Sequence, residues 1–157
     1  MRIEKYFLRY AFPCAFVIRA RNEIDDAVYS ELEDAAVKSK LIEKERLEKI
    51  FHKAFAEISR IAKEKGKNKW DPSVIRHYFL NEHNKIIDRR EGSYRNFPPT
   101  LCELSKVLVG EIIEKNNDVL SVKIKDKTRR VLNHFVPEAK TGDKVTVHYG
   151  YAVEVVD

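Results

Sequence analysis

Val145-Thr146-Val147-His148-Tyr149-Gly150-Tyr151-Ala152-Val153-Glu154-Val155 sets apolar side chains at nearly every second position on both sides of one glycine. A period of two is the period of a strand, whose successive side chains point to opposite faces. The stretch therefore reads as two strands joined at Gly150. Thr141-Gly142-Asp143 just before it is a turn signal. Further back, Arg129 to Phe135 forms another extended run, entered through a turn at Asp126-Lys127. Val119, Leu120, Val122 and Ile124 approach alternation, and Asn116-Asn117-Asp118 turns the chain ahead of them. Val107-Leu108-Val109 leads into Glu111-Ile112-Ile113 as the first strand. Four or five short strands between Leu101 and Asp157 predict a small all-β barrel of OB or SH3 type. Closing such a sheet removes its exposed edges.

Upstream of about residue 100 the period changes to three and four, the spacing of one helix face. Ile24, Ala27, Val28, Leu32 and Ala35 form one stripe; Leu47, Ile50, Phe51, Phe55, Ile58, Ile61 and Ala62 form a longer one. Gly66 is a stop signal directly after it. Asp71-Pro72 is a helix start, with Asp as cap and Pro in the first turn. Val74, Ile75, Tyr78, Phe79, Ile86 and Ile87 continue that helix, with Gly92 past its end. Ile3 to Tyr10 is a further helix, bent or ended by Pro13. Glu91 to Thr100 carries Gly92, Ser93, Pro98 and Pro99 and reads as a linker. The expected fold is α+β: a helical domain of three or four helices over residues 1–98, then a small OB-like barrel over 99–157.

The 157 residues are 43% hydrophobic and 35% charged, with a formal charge of +5. That balance supports a real core and much solvated surface, and leaves an acidic partner open. Cys14 and Cys102 make neither a disulfide framework nor a CxxC zinc pair. No signal peptide is read at the N-terminus, and Tyr10 to Ile18, the longest uncharged run, is too short to span a bilayer. The expectation is a cytoplasmic protein without a membrane segment. There is no HExxH, GxSxG, Walker loop or GxGxxG, and no acid/base pair of carboxylates, so an enzyme is not expected. His77 and His83 lie six apart, a spacing that puts them on different helix faces. Cys14 follows Pro13 in an apolar stretch and is expected to pack in the core.

Thr141-Gly142-Asp143-Lys144-Val145-Thr146-Val147-His148-Tyr149-Gly150-Tyr151-Ala152-Val153 resembles the signature of the HypC/HupF family of [NiFe]-hydrogenase maturation chaperones. Phe135-Val136-Pro137-Glu138-Ala139-Lys140 resembles the family's approach to that motif. Arg129-Arg130-Val131 and Val109-Gly110-Glu111-Ile112 resemble two of its strands. The resemblance covers about residues 101–157 only. It implies a HypC-like barrel in an accessory protein whose partners are a hydrogenase precursor subunit or the scaffold protein HypD. It also implies a cysteine and a histidine that hold an iron carrying cyanide and carbon monoxide. The histidine maps onto His148, and the cysteine onto Cys102, nine residues before Glu111. Thiolate and imidazole are both good donors to iron. Lys106, Arg129 or Arg130 would supply positive charge that favours the thiolate. Cys102 is internal here, and Cys102-Glu103-Leu104-Ser105-Lys106 lacks the proline of the family's motif.

Each residue also has a plainer reading: Cys102 as a small buried hydrophobe, and His148 as a strand histidine hydrogen-bonded at a turn. The competing functional expectation is nucleic-acid binding through a basic face of Lys65, Lys67, Lys69, Arg89 and Arg90, with Trp70, Tyr94 and Phe97 as stacking groups.

Overall fold

Two aspartates and a glycine set helix ends in the N-terminal part of the computed structural model, which describes every residue from Met1 to Asp157. The Asp25 carboxylate accepts from the Val28 N–H at 2.8 Å and starts α3 (Asp26–Val37). Asp71 accepts from the Ser73 N–H at 2.8 Å and starts α6 (Pro72–His77). Gly66, at φ 63°, closes α5 (His52–Lys65) in the left-handed region, which costs glycine little.

The chain divides into Met1–Phe97 and Pro98–Asp157. Four helical stretches make up the first unit, and three of them are interrupted. α1 (Ile3–Ala11) runs through a 3-10 turn at Phe12–Cys14 into α2 (Ala15–Ala20). The interruption falls at Pro13, which has no N–H to give the helix. The long stripe from Leu47 to Ala62 is split into α4 (Lys44–Ile50) and α5 at Phe51, whose ψ of 42° is not helical. A π-helical segment, Tyr78–Glu82, separates α6 from α7 (His83–Asp88).

An aromatic cluster holds these pieces together. The Phe7 ring lies 5.4 Å from Phe51, 4.8 Å from Phe55, 5.6 Å from Trp70 and 5.9 Å from Phe79. Such tilted and edge-on pairs add to the area each ring buries. The Trp70 indole N–H donates to Glu48 Oε1 at 2.7 Å, and Lys69 Nζ to Oε2 at 2.7 Å. Burial raises the Glu48 carboxyl pKa, but these two bonds and the nearby lysines outweigh it and hold the group below its ordinary value.

Residues 101–105 correct the reading of an all-β segment from Leu101. They lie in α8 (Pro99–Ser105), which begins inside the expected linker. Pro99 suits the first helical turn, where an N–H would have no partner, and the Cys102 N–H donates to the Pro98 carbonyl at 3.0 Å. The rest of the supposed linker carries a 3-10 turn at Gly92–Asn96.

Five strands follow: β1 (Val107–Asn116), β2 (Val119–Ile124), β3 (Lys127–Leu132), β4 (Lys144–His148) and β5 (Tyr151–Val156). They close into a barrel of order β1-β2-β3-β5-β4. β1 pairs antiparallel with both β2 and β4, and β3 meets β5 in parallel at Leu132 and Tyr151. Ile112, Leu120, Val122, Val131, Val145 and Val147 fill the interior, with Val136 and Ala139 from the β3–β4 connection. Lys115 Nζ ties that connection down by donating to the Pro137 and Ala139 carbonyls, at 2.6 and 2.8 Å. The Gly142-Asp143 turn has its own hardware. Gly142 sits at φ 93°, its N–H donates to the Ile112 carbonyl, and Asp143 Oδ2 accepts from the Lys140 N–H. No helix of the protein is long and apolar enough to cross a membrane.

Candidate functional site

His148 ends β4, where it pairs with Val107 of β1 and Tyr151 of β5. Val145 and Val147 belong to the barrel interior, so alternation turns His148 to the opposite face. Its side chain is nonetheless fully buried. The chain then reverses through Tyr149, at φ 51°, and Gly150. The small Gly150, with open space where a side chain would sit, follows a residue already in the left-handed region, and this makes the reversal tight.

Cys102 lies on α8 and is buried, with 8% of its surface exposed. The same helix is clamped to the turn that follows His148. The Tyr149 N–H donates to the Leu104 carbonyl at 3.2 Å. Ser105 Oγ lies 2.6 Å from the Leu101 carbonyl and 2.5 Å from the Tyr149 hydroxyl. A carbonyl only accepts, so Ser105 donates to Leu101 and Tyr149 donates to Ser105. Ser105 is fully buried. Backbone and side chain thus fix the Cys102 helix against the residue next to His148. Removing the Tyr149 hydroxyl by Tyr149→Phe is expected to cost about 1 kcal/mol, the usual net worth of one hydrogen bond. It should also speed thiol labelling at Cys102, read by peptide mapping. Unchanged labelling would mean that the clamp does not hold α8.

Beside α8 is a cleft of about 420 Å³, walled by Thr100, Glu103, Leu104, Leu108, Ile124 and Arg129 among others. Arg129 is half-buried, and its Nη1 has no hydrogen-bond partner. Burial lowers the Arg129 pKa, opposed by the Glu103 charge. Lys106 does not stand free to polarise a thiol, because its Nζ lies 3.2 Å from Glu103 Oε2.

The basic residues of the nucleic-acid reading are mostly engaged locally. Lys67 Nζ donates to Ser73 Oγ at 2.6 Å, and Lys69 to Glu48. Arg89 donates to Glu91 Oε1 at 2.6 Å, and Arg90 to the Phe97 carbonyl at 2.6 Å. Lys65 is exposed at the end of α5. Trp70, offered as a stacking group, is buried in the aromatic cluster. Nothing in the comparisons with known proteins supports this alternative.

The C-terminal unit is thus a small closed β-barrel of OB-like design with one short helix pinned to its β4–β5 turn. Residues 108–157, nearly all of the barrel, match the model of the HupF/HypC family. Members of that family are chaperones that act with protein partners in hydrogenase maturation, not enzymes. No curated protein matches the chain.

Proposed function

We propose that the protein is a non-catalytic accessory chaperone of hydrogenase maturation, working in the cytoplasm. It docks on a hydrogenase precursor subunit or a maturation scaffold such as HypD. It carries as cargo an iron with cyanide and carbon monoxide ligands, taken by Cys102 with His148 as the second donor. The observation that carries this reading is the clamp: Ser105 and Tyr149 tie the helix bearing Cys102 to the turn beside His148. The domain match supports the chaperone role. The donor set suits the cargo, since thiolate is a soft ligand for low-valent iron and neutral imidazole a good companion. The cleft beside α8 offers a partner an apolar wall at Leu104 and Leu108 and a half-buried cation at Arg129.

The test is iron content and infrared absorption of anaerobically purified full-length protein, with Cys102→Ala alongside. The expected result is iron with cyanide and carbonyl stretches in the wild type and neither in the variant. Wild-type protein without iron, purified from cells that assemble a [NiFe] hydrogenase, would overturn iron carriage. Failure of the tagged protein to retain the hydrogenase precursor or HypD from those same cells would overturn the docking role.

A further inference from the structure

We infer that the cleft beside α8 is a docking site for an acidic segment of the partner protein, and that it takes up an Asp or Glu side chain flanked by apolar residues, with the carboxylate on Arg129. This choice of ligand rests on the docking role proposed above and names what the cleft recognises.

Arg129 stands where its strand neighbours are apolar. Alternation puts it on the same face of β3 as Val131, and it pairs with Val122 of β2. Val122 and Val131 both belong to the barrel interior. Arg129 Nη1 is closed off from solvent and makes no hydrogen bond. A guanidinium keeps its proton at neutral pH, so the charge has lost hydration and received no counter-charge. Water in the cleft would satisfy an N–H but not the charge. Glu103, the carboxylate whose charge acts on Arg129, is itself bonded to Lys106 at 3.2 Å. An anion is what the site lacks.

The walls select the anion. Leu104, Leu108 and Ile124 line the cleft, whose volume is about 420 Å³. One guanidinium among apolar walls fits a monoanion on an apolar body, and its planar fork meets the two oxygens of a carboxylate together. A phosphate would bring more negative charge to a wall that already includes Glu103 and Asp126. Leu104 is 39% exposed, which favours a peptide over a free acid, because an apolar residue beside the carboxylate would cover it. Lys125 and Lys127, exposed on the same cleft, steer an acidic segment toward it. Lys125 holds its place at φ 57° in the two-residue β2–β3 turn, where Asn or Gly is usual, so turn geometry does not account for a lysine there. Every wall residue belongs to the Pro98–Asp157 unit.

The experiment titrates the isotope-labelled full chain with two blocked peptides, acetyl-leucyl-glutamyl-leucinamide and its glutaminyl counterpart, and follows the Arg129 side-chain Nε–H resonance. The glutamyl peptide should shift that resonance saturably. The glutaminyl peptide should bind about tenfold more weakly, as loss of a charge-assisted hydrogen bond implies. Arg129→Gln should erase the difference. Arg129→Met should keep or raise the thermal midpoint, because it removes an uncompensated charge. No saturable shift, equal affinity for the two peptides, a preference that survives Arg129→Gln, or a lowered midpoint in Arg129→Met would each overturn the site. Hexanoate or inorganic phosphate bound more tightly than the glutamyl peptide would overturn the choice of ligand. The docking role is read separately, from retention of the hydrogenase precursor or HypD by the tagged wild type. Retention without peptide binding sinks the carboxylate site and leaves docking intact. Peptide binding without retention overturns the docking role and leaves the carboxylate site standing.

Discussion

Gly110→Ala is expected to destabilise the barrel by about 1–3 kcal/mol, or more, through overpacking. A Cβ at this position would lie 2.6 Å from Val122 Cγ1, 2.7 Å from Ile124 Cγ1 and 2.7 Å from the Lys123 carbonyl oxygen. Real Cβ atoms essentially never approach so closely. The two side chains have some room to adjust, but the carbonyl belongs to the neighbouring strand and moves only with it. β1 must come this close because it is shared between β2 and β4, and its register to β2 shifts between Ile112 and Glu114. The strain falls on the closure itself. The expected readout is a lowered thermal midpoint with faster amide exchange in β1 and β2. Wild-type exchange in those strands would show that they separate without cost, contrary to this account.

Phe7→Ala carries the other large effect. Phe7 is fully buried, and its ring packs near four other aromatic rings: Phe51 and Phe55 of the α4–α5 stretch, Trp70 in the turn after α5, and Phe79 of the π-helical segment. Truncating a buried phenylalanine costs about 3–5 kcal/mol, the transfer term plus the cavity left behind. A short interrupted helix has little stability of its own, so the pieces of this unit depend on the shared cluster. Denaturant unfolding followed by Trp70 fluorescence should show a much earlier midpoint. Because Trp70 packs directly against Phe7, its native emission should shift as well. A midpoint within a few tenths of a kcal/mol of wild type would mean that the cluster is not the keystone of the unit.

The two variants probe different units, and this separation makes them useful for function. Gly110→Ala bears on the barrel whose β4 carries His148. Phe7→Ala bears on the helical unit, Met1–Phe97. Loss of partner retention in one and not the other would say which unit makes the dock.

Alternation over Val145 to Val155, the Asp71-Pro72 start and the Gly66 stop were legible in the sequence alone. Each depends on forces acting within a few residues: the strand period, a side-chain cap, and the left-handed freedom of glycine. The motif around His148 was legible as a resemblance to the HypC/HupF signature, and residues 108–157 match that family's model. Other features were not. The break at Phe51 lies inside an unbroken apolar stripe with no local stop signal, at a residue whose ring packs against Phe7 from a distant part of the chain. The helix at Pro99–Ser105 is too short to show a period, and its Ser105 is held by Tyr149 from 44 residues away. Closure of β1 on β4, the parallel meeting of β3 and β5, and the tight fit at Gly110 are all long-range pairings. Such pairings join residues far apart in the chain, and no local period encodes which of them meet.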